Sequence, residues 1–273
     1  MTTLVPTVKL TPEQITFFHE NGYLSLPSIT TEAELALMRE AYDRIFAQQA
    51  GRAEGNQFDL AGTDAEDKAA ALPQILDPAK YAPELKDTLA RTNALALARQ
   101  LLGDEAEGQF DHAIFKPAWH GAPTPWHQDE AYADPNQVYR YLSVWMPLQA
   151  VNEANGCMQF IPGTHRLDVL PHQSIHNDPR IHGLEVAAEV DVSHPAICPL
   201  PAGGATLHLN DTLHYTAPNH SDHPRRALIM MFGVPPRTRE ELGLPPRRFP
   251  WQEVRHTARE ERARSTQSRS SRR

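Results

Sequence analysis

In the N-terminal third of the chain, apolar residues recur with the spacing of amphipathic helices. Thr11 to Gln14 form a capping box with proline at the first helical position, and Gly22 ends this first helix. A second helix is predicted after Thr31, because its apolar residues lie three or four positions apart. A third is predicted from about Pro83 to Leu102, before the stop residue Gly103. Residues 11–103 are therefore predicted to be mainly helical.

Two stretches of this region do not follow the helical pattern. Tyr23 to Pro27 has the composition of a short strand. Residues 51–72 carry Gly, Asp and Ala without periodicity, which predicts a mobile loop.

After Gly103 the pattern changes to short apolar runs separated by turn formers. Strands are predicted at 109–116, 139–148, 156–161, 205–209 and 226–234. Many short strands with Pro and Gly turns indicate a sandwich or barrel rather than alternating βαβ units. We therefore expect one domain over residues 1–236, with a helical part at 11–103 and a β-barrel core at 104–236.

Charge separates the C-terminal extension, residues 237–273, from the rest of the chain. The formal net charge is −8, yet residues 255–273 contain seven Arg and two Glu, which leaves −13 for the remainder. An acidic body repels phosphate backbones, so nucleic acid is not expected as the main partner. The basic end has almost no apolar side chains, and we predict disorder from about residue 255.

The remaining bulk properties indicate a cytoplasmic protein. No apolar run reaches the roughly 18 residues that span a membrane, and the first residues lack the pattern of a secretory signal. Cys157 and Cys198 are far apart in unlike surroundings, so a disulfide framework is not indicated. No pattern specifies an oligomeric state.

The candidate chemistry begins with His127 and Asp129. On an extended strand, residues i and i+2 project from one face, so this imidazole and carboxylate could supply two of the three ligands of a facial metal triad. The same spacing occurs at His176 and at His220, so the spacing alone is weak evidence. The alternative is a hydrogen-bonded His–Asp pair in a turn, but only the pair at 127 precedes a strand with a clear apolar face.

A second group of candidates lies at residues 202–232. His214 could supply the third ligand, with His208 as its rival. Arg225 follows eleven residues after His214, and two adjacent antiparallel strands would place its guanidinium beyond the metal, where it could bind a carboxylate with two hydrogen bonds. Arg226 competes for this role, because strand alternation lets only one of the two arginines face inward.

Several motifs in order make the chain resemble the phytanoyl-CoA dioxygenase-like branch of iron/2-oxoglutarate oxygenases. The resemblance covers roughly residues 12–235. Its marks are Asn21-Gly22-Tyr23, Phe115-Lys116-Pro117, Trp126-His127-Gln128-Asp129, Asn155-Gly156, Ile161-Pro162-Gly163-Thr164-His165, His214, Pro218-Asn219 and Arg225-Arg226-Ala227-Leu228. The resemblance implies a mainly β protein with flanking helices, whose core is a double-stranded β-helix, a cupin-like jelly roll.

The resemblance also implies roles for individual residues. His127, Asp129 and His214 would bind Fe(II), and Arg225 would bind the distal carboxylate of 2-oxoglutarate. Three further residues match positions near the co-substrate: Thr216, Trp145 and Gln128. Strand alternation argues against Gln128, whose side chain would point the other way. Lys116 and His165 match motifs without an assigned role.

The activity implied is hydroxylation of an unactivated C–H bond in a small organic molecule at a protein-bound Fe(II), with 2-oxoglutarate and O2 consumed to give succinate and CO2. Asp129 indicates oxygen insertion, because halogenases of this family carry a small residue at that position. No basic cluster suits a coenzyme A phosphate, so a free small molecule is the expected substrate. A zinc-dependent hydrolase or isomerase, or a non-catalytic binding protein on the same barrel, are the alternatives.

Overall fold

The structure is a computed structural model that describes residues 4–65 and 68–270, with side chains as far as residue 266. The α-helices within these ranges are α1 (Pro12–Asn21), α2 (Glu32–Ala47), α3 (Leu89–Leu102), α4 (Pro250–Val254) and α5 (Ala258–Ser270). Thr11 caps α1 in the predicted capping box, and Thr31 caps α2 by accepting a hydrogen bond from the backbone N–H of Glu34. The sequence signals for the start of these two helices are therefore confirmed.

The β-strands follow mainly in the second part of the chain. They are β1 (Tyr23–Leu26), β2 (Gln57–Asp59), β3 (Pro73–Leu76), β4 (Glu107–Lys116), β5 (Thr124–His127), β6 (Gln137–Pro147), β7 (Met158–Phe160), β8 (His172–Ser174), β9 (Leu184–Val186), β10 (Ala196–Cys198), β11 (Ala205–Leu209), β12 (His214–Thr216) and β13 (Arg225–Thr238).

Two antiparallel sheets build the core. The larger has seven strands in the order β1-β11-β6-β13-β4-β3-β2, and the smaller has four in the order β10-β7-β12-β5. Strands that are distant in sequence lie side by side in both sheets, as in a jelly roll. Strands β8 and β9 form a separate hairpin. The predicted double-stranded β-helix with flanking helices is confirmed.

Alternation along β13 shows how the larger sheet is covered on both faces. Leu228, Met230 and Phe232 belong to the apolar core that the three N-terminal helices form with this sheet. Ala227 and Ile229 belong instead to a second core that includes Met158 and Phe160 of the smaller sheet. Odd-numbered residues of this strand therefore face the space between the sheets.

Two predictions for the N-terminal part are wrong in detail. Residues 57–59 are not loop but strand β2, which pairs with β3, and the Asp59 carboxylate accepts hydrogen bonds from the backbone N–H groups of Ala61, Ala71 and Leu72. Residues 66 and 67 of the predicted loop lie outside the described residues. The third helix begins at Leu89 and not near Pro83, because Thr88 caps it and residues 83–85 form a separate 3-10 turn.

The C-terminal extension also differs from expectation. Helix α5 lies where we predict disorder from about residue 255, and residues 271–273 of that prediction lie outside the described residues. Polar contacts rather than apolar burial hold this helix against the domain. Arg262 pairs with Asp64 and donates a hydrogen bond to the backbone carbonyl of Arg52. Composition alone underestimates how ordered such a segment is, because the residues that hold it lie some 200 positions earlier in the chain. Among the described helices, none is both long and apolar enough to cross a membrane.

Candidate metal centre

Two histidines meet across a strand pair of the smaller sheet. His127 is the last residue of β5, His214 is the first residue of β12, and the two are register partners in the antiparallel ladder. Their ring centroids are 4.1 Å apart, and both side chains are buried. Side chains of directly opposed residues point to the same face of a sheet, so both imidazoles face the space between the two sheets.

Asp129 completes a cluster with these histidines. Its Oδ1 lies 3.6 Å from Nε2 of His127 and 3.6 Å from Nε2 of His214. One ligand atom from each of the three residues lies within 4.8 Å of the others, which suits a single metal ion. The sequence predicts that Asp129 lies on a strand. In the structure it is instead the first residue of a 3-10 turn. Gln128 before it is still extended, at φ −117° and ψ 133°, so the carboxylate follows His127 onto the same face.

Hydrogen bonds to backbone carbonyl oxygens fix how the two histidines are oriented. Nδ1 of His127 lies 2.8 Å from the carbonyl oxygen of Pro125, and Nδ1 of His214 lies 2.9 Å from that of Thr212. When Nδ1 donates to a carbonyl, Nε2 carries the free lone pair that a metal needs. Both imidazoles therefore present Nε2 to the cluster.

The charge states of the cluster also suit a metal. Burial would raise the pKa of Asp129, but the neighbouring histidines, His214 foremost, hold it well below its usual range. Burial, with the nearby His127 and His208, holds the pKa of His214 well below its usual range. An ionised Asp129 beside a neutral His214 suits the binding of a divalent cation.

His208, the rival ligand, lies beside the cluster, with its ring centroid 4.4 Å from that of His214. Its Nε2 is 3.5 Å from Oδ2 of Asp129, while Oδ2 also accepts a hydrogen bond from Ser143 Oγ at 2.9 Å. Neither ring nitrogen of His208 has a hydrogen-bond partner in the described part of the chain. The cluster within metal-ligand distance contains His214 and not His208.

The loop motifs of the sequence hold β12 in place. Thr164 Oγ1 accepts a hydrogen bond from the backbone N–H of Leu213, and Thr212 Oγ1 donates one to the carbonyl of Gly22. Gly22 has φ +81°, and a Cβ there would lie 2.3 Å from His165 Nδ1. Asn21-Gly22 and the 161–165 motif are therefore structural supports of the strand that carries His214.

Arg225 lies beyond the histidines in the same small cavity. This cavity of about 50 Å³ is also lined by His127, Asp129 and His214. The guanidinium is 1% exposed, and its Nε and Nη1 have no hydrogen-bond partner among the described residues. Burial lowers the pKa of Arg225 to about 10, so the side chain stays cationic at neutral pH. A buried cation with unfilled donors fits an anion in the cavity.

Only one of the two adjacent arginines faces the cavity, as strand alternation predicts, but the strands that carry His214 and Arg225 are not neighbours. Arg226 faces away and pairs with Asp43 through Nε–Oδ1 at 2.7 Å and Nη2–Oδ2 at 2.9 Å. His214 and Arg225 do not lie on adjacent strands, because β12 and β13 belong to different sheets. The turn between them crosses from one sheet to the other, and the two side chains meet across the barrel interior.

Two of the three further candidates reach this cavity and one does not. Trp145 lines it, with its ring 5.3 Å from the guanidinium carbon of Arg225, and Thr216 lines it with Oγ1 3.0 Å from Thr124 Oγ1. Gln128 is fully buried elsewhere: its amide donates to the carbonyl of Asp211 and accepts from the N–H of Leu170. Alternation turns it away from the cavity, so the structure does not support its predicted contact with the co-substrate.

Lys116 is a fully buried residue to which the sequence analysis assigns no role. Its Nζ donates hydrogen bonds to the carbonyls of Thr216 at 3.1 Å and Ala217 at 2.6 Å. The side chain therefore stabilises the end of β12, where Thr216 lies. Long-range contact with a backbone carbonyl leaves no signal in the local sequence, so this role could not be read in advance.

A larger cavity of about 410 Å³ adjoins the cluster. Asp129 and His112 line its inner end, and aromatic residues including Phe110, Tyr132 and Tyr139 line its walls. His112, which also borders the smaller cavity, has its pKa lowered to about 4 by burial, so its ring is neutral near pH 7. This space can hold a small organic molecule next to the cluster.

The arrangement corresponds to a known class of enzyme. Two histidines and one carboxylate that leave coordination positions open are the ligand set of non-haem iron(II) oxygenases. A free guanidinium beyond the triad suits a dicarboxylate co-substrate. The fold and the site therefore define a dioxygenase of the iron- and 2-oxoglutarate-dependent class.

Comparison with known proteins identifies the family within that class. The sequence profile of the family described as phytanoyl-CoA dioxygenase (PhyH) matches residues 18–227, which is more than half of the chain. The chain belongs to the phytanoyl-CoA dioxygenase family. This finding confirms the resemblance that the sequence motifs indicate.

Individual relatives agree with this assignment. The chain is 38% identical to EvdO2 from Micromonospora carbonacea var. aurantiaca, solved in complex with 2-oxoglutarate; the match covers 89% of this chain and 97% of that one, with a TM-score of 0.75. It is 28% identical to a probable alpha-ketoglutarate-dependent hypophosphite dioxygenase of Stutzerimonas stutzeri, over 81% of this chain and 78% of that protein. The epimerase SnoN, solved with Fe3+, alpha-ketoglutarate and nogalamycin RO, shares the fold at 22% identity, over 81% of this chain and 82% of that one, with a TM-score of 0.63.

Proposed function

We propose that this protein uses Fe(II), 2-oxoglutarate and O2 to hydroxylate an unactivated C–H bond of a small organic molecule, releasing succinate and CO2. The observation that carries the proposal is the presence of two complementary groups in one cavity. The cluster of His127, Asp129 and His214 suits a divalent metal, and the unpartnered Arg225 suits a carboxylate.

In this proposal, His127, Asp129 and His214 hold Fe(II). The bound metal supplies the redox chemistry that couples decarboxylation of the keto acid to oxidation of the substrate. The protein contributes two imidazoles oriented by backbone carbonyls and one carboxylate held by Ser143. Preformed ligands of this kind need no rearrangement when the ion binds.

Arg225 orients 2-oxoglutarate by binding its distal carboxylate. Two parallel hydrogen bonds from a guanidinium define both the position and the angle of a carboxylate. Trp145 restricts the space beneath the guanidinium, and Thr216 offers a hydroxyl beside it. The solved complex of EvdO2 with 2-oxoglutarate supports the choice of this co-substrate.

The substrate occupies the larger cavity next to Asp129. Its volume suits a free small molecule, and its aromatic walls can pack against the carbon skeleton of that molecule. The acidic body argues against nucleic acid as a partner. We also place the protein in the cytoplasm, a choice supported by two buried free cysteines.

An absorption experiment tests the proposal before any substrate is known. Anaerobic protein mixed with Fe(II) and 2-oxoglutarate should develop a weak visible charge-transfer band at roughly 500–530 nm, the region typical of this iron/keto-acid chelate. Asp129→Ala should remove both the band and succinate formation. A colourless wild-type mixture would favour a zinc hydrolase or isomerase, or a non-catalytic binding protein. Full turnover by Asp129→Ala would refute the role of this residue.

A further inference from the structure

The larger cavity is lined in part by a segment of the chain that lies outside the family match. The family profile ends at residue 227, but Arg255 and Arg259 of the C-terminal extension line the cavity that Asp129 borders at its inner end. The barrel supplies the floor of this cavity, and the extension supplies part of its wall.

Both arginines are enclosed and have unfilled donors. The Arg255 side chain is 14% exposed, and its Nε and Nη1 have no hydrogen-bond partner among the described residues. Nε of Arg259 is likewise buried without a partner within the described ranges. Each guanidinium lies over an aromatic ring, Arg255 at 6.0 Å from Tyr132 and Arg259 at 4.9 Å from Phe58. These rings orient the guanidinium groups but do not neutralise their charge.

The acidic partners nearby are too few for these charges. Glu260 Oε1 lies 3.4 Å from Arg255 Nε, without hydrogen-bond geometry, and Glu260 is also the acidic group that favours the charged form of Arg259. Arg262 on the same helix differs, because it is paired with Asp64. In the part of the chain that the structure describes, one carboxylate thus faces these two guanidinium groups, which leaves a positive charge at this wall of the cavity.

The extension is fixed on both sides of the two arginines. On one side, Trp251 Nε1 donates to the carbonyl of Ala131 at 2.9 Å, and the His256 N–H donates to that of Pro179 at 2.9 Å. On the other, Arg262 holds α5 against the turn at residues 52–54. Anchors on both sides make the placement of Arg255 and Arg259 a feature of the fold rather than of a loose end.

We propose that Arg255 and Arg259 bind an anionic group of the substrate, a carboxylate or a phosphate, and that the C-terminal extension thereby selects the substrate class. The body of the substrate packs against Phe110, Tyr132 and Tyr139, and the carbon to be oxidised points towards Asp129. Two guanidinium groups with free donors match the geometry of such an anion. This inference rests on the proposed function for the reaction, but the anion site itself does not need iron.

Calorimetric titration of the full-length protein tests the anion site. The probes are phenyl phosphate and benzoate, with the uncharged phenyl β-glucoside as a matched neutral ring compound. We expect an anion to bind more tightly than the glucoside. The double variant Arg255→Gln/Arg259→Gln should bind the anion at least about tenfold more weakly, because charged hydrogen bonds are lost. Arg264→Gln, which changes an exposed arginine of the same helix, should bind as the wild type does.

Several outcomes separate this inference from its alternatives. Partial retention of binding by Arg255→Lys/Arg259→Lys would support a charge-based site and exclude misfolding as the cause of the loss. An unchanged affinity in the glutamine variant, tighter binding of the glucoside, or no binding of either anion to wild type would overturn the inference. The iron/2-oxoglutarate band is measured on the same samples: a variant that keeps the band but loses the anion supports this site. Wild type that binds the anion without the band contradicts only the proposed reaction.

Discussion

Lys116 and Arg225 are register partners across the β4–β13 ladder, and both side chains are fully enclosed, yet their hydrogen bonding differs. Lys116 donates to the carbonyls of Thr216 and Ala217, whereas two nitrogens of Arg225 have no partner among the described residues. Two basic residues at the same depth in the barrel thus have different functions. One stabilises the strand next to the site, and the other is left for a ligand.

Removal of the Arg225 guanidinium should specifically weaken the binding of 2-oxoglutarate. Arg225→Gln loses charged hydrogen bonds of about 1.5–3 kcal/mol, so we expect the KM for 2-oxoglutarate to rise about 10- to 100-fold. Succinate formation at increasing 2-oxoglutarate concentrations measures this change. The control is Arg226→Gln, whose guanidinium pairs with Asp43 on the outside of the sheet. Equal effects of the two substitutions would contradict the role of Arg225.

The third metal ligand can be distinguished from its rival by paired variants. His214→Gln should abolish the visible band of the iron/2-oxoglutarate mixture, because it removes one of three ligands. His208→Gln should keep the band, since His208 contacts Asp129 Oδ2 rather than the cluster centre. Loss of the band in His208→Gln together with its retention in His214→Gln would reverse the assignment.

Lys116 should contribute to stability rather than to chemistry. Lys116→Met leaves two buried carbonyls without their donor, which we expect to lower the free energy of unfolding by about 1–3 kcal/mol. Urea denaturation followed by circular dichroism measures the loss. Lys86→Met, at an exposed position, should change the same quantity by no more than about 0.5 kcal/mol. A loss no larger than that of the control would show that Lys116 does not support β12.

Asp211 predicts how stability depends on pH. Burial, and then the nearby Glu130, raises the pKa of Asp211 from its ordinary 3.8 to about 7. Between pH 3.8 and about 7, Asp211 is protonated in the folded protein but ionised in the unfolded chain. The free energy of unfolding therefore falls as the pH rises through this range. Asp211→Asn removes the penalty and should stabilise the protein at pH 8 relative to wild type by about 1–4 kcal/mol more than at pH 4.

Thermal unfolding of the wild type and of Asp211→Asn at the two pH values measures this difference. Asp104→Asn, at an exposed site, is the control and should show almost no pH-dependent difference from wild type. A gain from Asp211→Asn that is the same at both pH values would mean that Asp211 does not carry a raised pKa.

Local signals in the sequence were sufficient for some of these features and not for others. The caps at Thr11 and Thr31 predict where α1 and α2 begin, because capping depends on residues within one turn. Alternation predicts that only one of Arg225 and Arg226 faces inward, and the eleven-residue offset from His214 favours Arg225. Alternation also predicts that Gln128 turns away from the cavity. In contrast, the contacts of Lys116 and Arg262 join residues about one hundred and two hundred positions apart, which local patterns cannot show.

The candidate cluster shows the same division. The spacing of His127 and Asp129 indicates a shared face, although Asp129 lies in a 3-10 turn and not on a strand. The partner His214 required the family resemblance, because nothing in the local sequence distinguishes it from His208. The disorder predicted from residue 255 followed from composition, which counts apolar side chains and ignores ion pairs such as that of Arg262 with Asp64.

Strand β12 is only three residues long, but it is paired on both edges, with β5 on one side and β7 on the other. Because pairing on both edges holds its backbone, His214 keeps one position whichever ion is bound, and the site has no rearrangement by which to prefer iron. A rigid set of nitrogen and oxygen donors binds several first-row ions, and affinity alone then favours copper, nickel or zinc over iron. Purified protein should accordingly be inhibited by trace Zn2+ or Ni2+, and the supply of metal in the cell would decide which ion occupies the barrel.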